Sequence, residues 1–483
     1  MKKTVVFLII IITIFSCISF TGCKKKEDLT SYYLDLSYNE EEHKLYGKMS
    51  VDFFNDKEVV FKEIKFNTFG NAFRKDAKYF PVLPQYTAKA YPNGINYGEM
   101  SISNVTVDEK VVDFYIGGED LNLLTVPLEE ELFPNERVKI EMEFCLKLAN
   151  VHARTGYNDK TVNLGNFYPV LAVYENAFLE CNYYAIGDPF YSETANYTVS
   201  IKTPKEFVVA SSGKLVKSKE TNGIVENSYV LKNARDFALV LSKEFEVVTK
   251  KVGETEINYY YYDDNTPENE LKTASLAIET FSNKFTNYPY ESYSVCQTKF
   301  FEGGMEYPGL VYISDGLEEQ SFNEVIVHET AHQWWYGLVG NNQIEYGFLD
   351  EGLAEYSVIL FYEDNKEYGL KRETLVDICE QNYQTFCTVY DKLFGNVNTS
   401  MRNLKDYKSE YEYVNLSYVK PSIMFDRLRR DIGDKRFFSS LKGYCEENQY
   451  KIATPDDLIY AFSKSGVDVE SYFRSFIDGK VIL

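Results

Sequence analysis

The first half of the chain is dominated by runs in which apolar and polar residues alternate. In residues 138–146 and again in residues 197–201, every second side chain is apolar. This period of two is typical of a β-strand with one buried face. Glycine, asparagine, aspartate and proline separate such runs along this half. The pattern predicts an N-terminal all-β, sandwich-like domain over residues 31–246.

The second half follows a different pattern, in which helices take over. The apolar spacing predicts strands at 257–262, 292–300 and 310–313, a helix at 271–285, and mainly helices from residue 322 onward. Thr454, followed by a proline, predicts a further helix start. The chain is therefore expected to be multidomain, with the β domain followed by an α+β, mostly helical domain at residues 247–483.

Composition and charge narrow the function classes. The 483 residues are 45% hydrophobic and 26% charged, as in soluble globular proteins of two or three domains. The formal net charge of −22 leaves no basic surface for phosphates, so nucleic acid is not an expected partner. Six cysteines beyond the first 23 residues are scattered without a C-x-x-C motif. Buried free thiols are favoured over disulfides, although an exported chain permits either.

The N-terminus has the features of an export signal. Two lysines precede an apolar run at residues 5–20, and Cys23 follows a threonine and a glycine. This ending resembles a bacterial lipobox, although Phe20 stands where leucine is usual. The resemblance implies a signal peptide at 1–22, lipidation of Cys23 and a short tether at 23–30. The alternative is an uncleaved anchor, but the run is shorter than the roughly 20 residues of a spanning helix. We expect an exported protein, lipid-anchored to the outer face of the bacterial cytoplasmic membrane.

The sequence H-E-x-x-H-x18-E is the strongest chemical signal in the chain. Its members are His328, Glu329, His332 and Glu351, and the chain has only four histidines in all. Histidines four apart lie on one face of a helix and can bind one metal ion. Glu329 is turned about a third of the way round, where it can act on a water molecule without binding the metal. The alternative, two surface histidines on a helix, does not explain the spacing.

A catalytic zinc ion needs three protein ligands and an open position. Glu351 is the natural third ligand. Glu355 follows one turn later and is expected either to accept a hydrogen bond from a ligating histidine or to be an exposed helix acid. Ser321 and Glu324 form an S-x-x-E pattern that predicts the start of the helix carrying the histidines, and Gly337 predicts its end.

Three further segments agree with one family. Residues 303–307 resemble the G-A-M-E-N signature of the aminopeptidase N family of gluzincin metallopeptidases, residues 350–354 resemble its N-E-G-F-A, and residues 418–421 resemble its Y-x-K-G. The eighteen-residue gap is also the gap of this family. The resemblance implies a thermolysin-like fold for residues 247–483 and one zinc ion held by His328, His332 and Glu351.

The resemblance also implies a role for each site residue. Glu329 is the general base that acts with a metal-activated water, and the Tyr418 hydroxyl stabilises the oxyanion. Glu306 binds the free α-amino group of a peptide, so that one residue is removed at a time. The substrate-binding segment is Gly303, Gly304, Met305 and Glu306. The predicted function is that of a zinc aminopeptidase acting on peptides with a free N-terminus.

The chain departs from the family pattern in several places. Tyr307 stands for the usual asparagine and Pro421 for glycine; the proline is tolerable if Tyr418 directly precedes a helix. No Q-x-E motif supplies a second amine-binding acid, and Asp188 and Glu193 are the substitutes in the sequence. The helical C-terminal domain of larger members is expected to be absent.

Two other functions stay open at this point. One is a zinc endopeptidase, or another zinc hydrolase, of the same clan. The other is a non-catalytic, peptide-binding lipoprotein that keeps the metal site for structure. The dedicated general base and oxyanion donor speak against the second.

Overall fold

The computed structural model describes residues 29–395, 398–464, 466 and 468–479. The predicted signal peptide at 1–22 and the lipidation site Cys23 lie outside these residues, as does most of the tether. Within the described residues, no helix is long and apolar enough to cross a bilayer.

The described part of the chain as far as Ser242 contains sixteen strands. They are β1 (Ser31–Asn39), β2 (Lys44–Phe54), β3 (Phe61–Asn67), β4 (Glu99–Val107), β5 (Lys110–Val111), β6 (Tyr115–Gly117), β7 (Leu123–Leu132), β8 (Arg137–Lys147), β9 (Thr155–Tyr157), β10 (Val162–Leu164), β11 (Val170–Leu171), β12 (Ala195–Pro204), β13 (Val208–Ser211), β14 (Lys214–Thr221), β15 (Ile224–Ala234) and β16 (Leu239–Ser242). The short helix α1 (Thr87–Ala90) and two 3-10 turns (Phe69–Phe73, Pro84–Tyr86) interrupt them.

These strands form three sheets around a shared core. The largest has eight strands in the order β14-β15-β12-β1-β2-β8-β4-β5, and two four-stranded sheets have the orders β13-β16-β10-β9 and β11-β3-β7-β6. In β8 the apolar residues predicted from the alternation are the buried ones. Leu36 and Val51 of the large sheet share one core with Phe66 and Leu124 of a smaller sheet. The sheet-rich, sandwich-like first half is therefore confirmed.

A five-stranded sheet and a set of helices make up the rest. The strands are β17 (Glu246–Val252), β18 (Thr255–Tyr261), β19 (Ser292–Thr298), β20 (Gly304–Met305) and β21 (Leu310–Ser314), in the order β17-β18-β19-β21-β20, with a separate pair of β22 (Gly340–Asn341) and β23 (Ile452–Ala453). The helices are α2 (Pro267–Lys284), α3 (Glu319–Ala331), α4 (Gln343–Tyr346), α5 (Phe348–Asp364), α6 (Arg372–Phe394), α7 (Glu410–Val414), α8 (Lys420–Ile432), α9 (Asp434–Glu447), α10 (Pro455–Ser463) and α11 (Glu470–Ile477). Two 3-10 turns (Lys366–Tyr368, Leu404–Asp406) and a π-helical turn (Asn415–Val419) complete it. The prediction of an α+β, mostly helical second part is confirmed. The domain boundary at residue 246 stays a prediction.

The helix ends test the sequence signals that predicted where helices begin and end. Thr454 caps α10 in a capping box with Asp457, as its sequence predicts. The S-x-x-E prediction is wrong, because α3 begins at Glu319 and neither Ser321 nor Glu324 caps it. The predicted end at Gly337 is also wrong, because α3 ends at Ala331.

A buried arginine joins the two parts of the chain. Arg235, in the loop after β15, donates hydrogen bonds to the carbonyl oxygens of Tyr336 (2.8 Å), Ser192 (3.2 Å) and Lys451. A Cβ on Gly340 would lie 2.2 Å from the guanidinium carbon, so only glycine fits beside it. These contacts fix the first half against the loop that follows α3.

The six cysteines of the described residues are free thiols, as favoured from the sequence.

Candidate active site

Three predicted ligands meet at one point. His328 lies near the end of α3, His332 one residue past that end, and Glu351 in the first turn of α5. His332 Nε2 lies 3.1 Å from His328 Nε2 and 3.2 Å from Glu351 Oε2, and His328 Nε2 lies 3.3 Å from the same oxygen. All three side chains are nearly or wholly shielded from solvent. Spacing along two helices has thus produced a triangle of donor atoms.

This triangle fits a zinc ion. Donor atoms about 2.0–2.1 Å from a tetrahedral zinc lie about 3.3 Å apart, close to all three observed separations. His332 Nδ1 contacts the Trp335 carbonyl oxygen at 2.9 Å, so this nitrogen carries the proton and Nε2 presents its lone pair. That lone pair faces a carboxylate oxygen, an arrangement that repels unless a cation lies between them. His328, His332 and Glu351 would therefore hold the metal.

The surroundings of the triangle also favour positive charge. Burial lowers the pKa of His328, but hydrogen bonds to Glu351 and Glu355 outweigh it and raise the pKa to about 10. Glu355 Oε2 lies 3.4 Å from His328 Nδ1, on the far side of the ring from the other ligands. The structure thus brings Glu355 to the position that an outer partner of a ligating histidine requires.

Glu329 lies beside the triangle and is free to act as a base. Its side chain is buried, with 6% exposed, and its Oε2 accepts no hydrogen bond from the described residues. Burial raises the pKa of Glu329 to about 7. A Cβ on Gly304 would lie 2.3 Å from Glu329 Oε1, so glycine is needed for this approach. A carboxylate with such a pKa can take and return a proton near neutral pH.

Glu306 shares this space from the other side. One oxygen each of Glu306 and Glu329 and a ring nitrogen of His332 lie within 4.8 Å of one another. Gln343, at the start of α4, donates to Glu306 Oε1 at 3.2 Å and to Asp350 at 2.7 Å. Burial, together with the nearby charge of Asp188, raises the pKa of Glu306. A buried carboxylate among other carboxylates favours the binding of a cationic group.

Arg154 connects the first half of the chain to this segment. It donates to Asp188 at 2.6 Å, pairs with Glu302 at 3.0 Å and contacts the sulfur of Met305 at 3.0 Å. Asp188 therefore borders the cleft, as one of the two substitutes proposed for a second acid. Glu193 does not, because it pairs with Lys57 at 2.9 Å and lines a different cavity.

Tyr418 lines the same cleft as Glu329. It belongs to the π-helical turn before α8, and its ring stacks on His328 with centroids 5.7 Å apart. Burial raises the pKa of Tyr418, which keeps the hydroxyl protonated as a donor. Pro421 lies in the first turn of α8, where its missing N–H costs nothing, and it packs against Gly352.

The residue after Glu306 anchors the segment in the β half. The Tyr307 hydroxyl donates to Asn166 at 2.8 Å, and the Asn166 amide donates to Asp236 at 2.6 Å. A Cβ on Gly165 would lie 1.9 Å from that hydroxyl, so a tyrosine here requires a glycine there. Tyr307, which departs from the family pattern, is thus accommodated by Gly165, a residue far away in the sequence.

His328, Glu329, Glu355 and Tyr418 border a cleft of about 400 Å³. It is lined by Arg154, Ala185, Ile186, Gly187, Asp188, Glu302, Gly303, Gly304, Ser321, Glu324, Val325, His328, Glu329, Glu355, Val358, Glu410, Tyr413, Val414 and Tyr418. Six of these residues are acidic and one is an arginine. Sequence reasoning missed Arg154 and Gln343, since neither belongs to a motif that signals a site.

Known proteins resemble this chain in sequence and in fold. Residues 269–476 match the peptidase family M1 domain. Aminopeptidase N of Lactococcus lactis subsp. lactis is 29% identical over 241 residues, covering 44% of this chain and 27% of that protein. Endoplasmic reticulum aminopeptidase 2 of Homo sapiens is 22% identical over 408 residues, covering 78% and 41%. The chain thus spans well under half the length of these two relatives.

The fold is shared along almost the whole chain with a solved structure. The M1 zinc metallopeptidase from Deinococcus radiodurans superposes with a TM-score of 0.66 at 17% identity, covering 94% of each chain. A mutant of that enzyme, bound to a Tyr-Ser-Ala substrate, gives 0.65. Domain match, relatives and fold agree, and residues 269–476 carry the peptidase family M1 domain that the similarity to aminopeptidase N also indicates.

Proposed function

We propose that the protein is a zinc aminopeptidase that removes the N-terminal residue from peptides. The observation that carries this is the distance from Glu306 to the metal site, with its carboxylate within 4.8 Å of Glu329 and His332. Within one amino acid the amine nitrogen and the scissile carbonyl carbon are about 2.5 Å apart. A substrate ammonium held by Glu306 therefore leaves room for one residue before the point of cleavage.

Each residue has a separate task in the reaction. Glu306 binds the ammonium, and the backbone at Gly304 runs beside the scissile bond. Glu329 takes a proton from the attacking water and then passes it to the leaving amine. The Tyr418 hydroxyl donates to the carbonyl oxygen as negative charge develops there. When bound by the triangle, zinc supplies Lewis-acid chemistry, which polarises the carbonyl and acidifies water.

The test compares one peptide with a free and with an acetylated N-terminus. We expect cleavage of the free form only, with release of a single amino acid seen by mass spectrometry. In Glu306→Gln, which keeps the size and the acceptor for Gln343, kcat/KM for the free peptide should fall roughly 100-fold or more, since a buried charge loses its partner. Equal cleavage of both forms, or cleavage at internal bonds, would instead assign an endopeptidase of the same clan.

We further propose that the enzyme is exported and anchored through a lipid on Cys23. The support is the order of basic start, apolar run and cysteine at the N-terminus. Cells grown with a labelled fatty acid should label the wild-type chain, and Cys23→Ala should abolish both the label and membrane retention. An unlabelled wild-type chain, or a Cys23→Ala variant that stays on the membrane, contradicts the anchor.

A further inference from the structure

The cleft extends past His328 to carboxylates that have no task in the proposed reaction. Glu324 lies one turn before His328 on α3, and Glu410 begins α7 on the opposite wall. Neither forms an ion pair with a lysine or arginine of the described residues, and Glu410 accepts a hydrogen bond from Tyr86 at 2.5 Å. Since the S-x-x-E prediction failed, Glu324 is not used as a helix cap either.

The substrate-binding strand gives the direction in which a peptide leaves the metal site. β20 is the edge strand of the five-stranded sheet, so its outer side has no strand partner among the described residues. Extended peptides bind to such edges by adding a strand. Going backward from Glu306, the chain passes Glu329 at Gly304 in β20 and then Val325 at Gly303, just before β20, where a Cβ would lie 3.6 Å from Val325 Cγ2. The second residue of a bound peptide therefore lies beside Val325.

The side chains around that position form an amphipathic subsite. Val325 and Val358 supply apolar walls, and Glu324 and Glu355 supply two partly buried carboxylates. The two acids lie close enough that burial and the charge of Glu355 both raise the pKa of Glu324. Glu355 Oε2 lies 3.4 Å from His328 Nδ1, whereas Glu324 accepts no hydrogen bond from the described residues and feels the charge of His328 only from a greater distance. The charge of Glu324 is thus the one available to a ligand.

We propose that Glu324 selects peptides whose second residue is lysine or arginine. The methylenes of such a side chain fit between the two valines, and its charged end reaches the carboxylates. A glutamate at the second position would meet like charge on the same wall. This inference rests on the proposed function, because it takes Glu306 as the anchor of the amine.

The test measures kcat/KM for three tripeptides that differ only in the second residue, which is lysine, norleucine or glutamate. The first residue is the one cleaved fastest in an aminoacyl-anilide panel. We expect the wild-type enzyme to prefer lysine over norleucine about fivefold or more, and glutamate to be the poorest. In Glu324→Gln the lysine-to-norleucine ratio should fall toward one. In Glu324→Lys the glutamate peptide should become better than the lysine peptide.

The ratio is independent of how much of each variant is folded, because all three peptides meet the same active enzyme. Glu319→Gln is the matched control, since it removes the same charge from an exposed position on the same helix outside the cleft. It should keep the wild-type ratio. A wild-type ratio near one, or the same ratio in Glu324→Gln as in wild type, overturns the subsite while leaving the aminopeptidase intact. No cleavage of any free peptide overturns the proposed function itself, and the subsite with it.

Discussion

Glu329→Gln should separate metal binding from catalysis. The Glu329 side chain is 6% exposed, and glutamine has almost the same volume, so the change opens no cavity. Glu329 Oε2 accepts no hydrogen bond from the described residues, so no donor loses its partner. The three donor atoms of the metal triangle belong to other side chains. The variant should therefore fold and bind one zinc ion per chain.

The loss in rate follows from the role of the lost group. A positioned general base contributes about 100-fold to 10,000-fold to the rate, which corresponds to about 3–5 kcal/mol of transition-state stabilisation. The other carboxylates near the ligands have contacts of their own: Glu306 accepts a hydrogen bond from the Gln343 amide, and Glu355 lies at Nδ1 of His328. We expect kcat on an aminoacyl anilide to fall by at least about 100-fold, with KM changed little.

The assay pairs steady-state kinetics with zinc content by atomic absorption. Glu319→Gln serves again as the control and should keep both wild-type values. The reasoning is refuted if Glu329→Gln holds one zinc ion per chain and turns over within tenfold of the wild type. A variant that has lost its zinc would instead show that Glu329 supports the metal, which the donor triangle does not predict.

Three further changes test other parts of the site. Tyr418→Phe should lower kcat about 100-fold or more with little change in KM, measured by anilide kinetics, since one oxyanion donor is lost. Arg154→Leu should leave the buried carboxylate of Asp188 and the partly exposed one of Glu302 unpaired and lower the free energy of unfolding in urea by about 3–5 kcal/mol; an unchanged midpoint would contradict the pairing. Burial lowers the pKa of Lys420 to about 7, so below pH 7 the buried side chain is charged and destabilises the fold. This destabilisation decreases as the pH rises from 7 toward the pKa that the lysine has in the unfolded chain. Lys420→Met should therefore gain stability over the wild type near pH 6, and the gain should shrink at pH 9 in urea titrations.

Features that depend only on residues within one helix or strand could be predicted from the sequence. The alternation in β8 and the helix start at Thr454 each depend on residues within one element, and both are present as predicted. The S-x-x-E pattern at Ser321 misled because it is equally compatible with the middle of a helix. α3 already includes Glu319, and Phe322 within its first turns is buried against the ring of Tyr259.

Features that depend on the approach of distant segments could not be predicted. Arg154 and Gln343 act on the segment that contains Glu306, but only because the β half and α4 pack on either side of it. The need for glycine at position 165 follows from a tyrosine at 307, and neither residue indicates the other when read alone. Hydrophobic periodicity specifies which face is buried, whereas these partners are specified by the packing of whole elements.

In the proposed aminopeptidase, the limit to one residue per cleavage is a property of the packed molecule rather than of the zinc motif. His328, His332 and Glu351 can be placed together by two helices alone, and such a site could cleave a peptide at any bond. Glu306 changes the outcome because it is fixed near the metal from two sides, by Gln343 at its carboxylate and by the Tyr307 hydroxyl bonded into the β half. Loosening either contact lets the anchor move, and an anchor that moves by one residue length, roughly 3.5 Å, no longer marks the first peptide bond. The position of that carboxylate, as well as its charge, should therefore determine whether the proposed aminopeptidase removes one residue or cuts elsewhere.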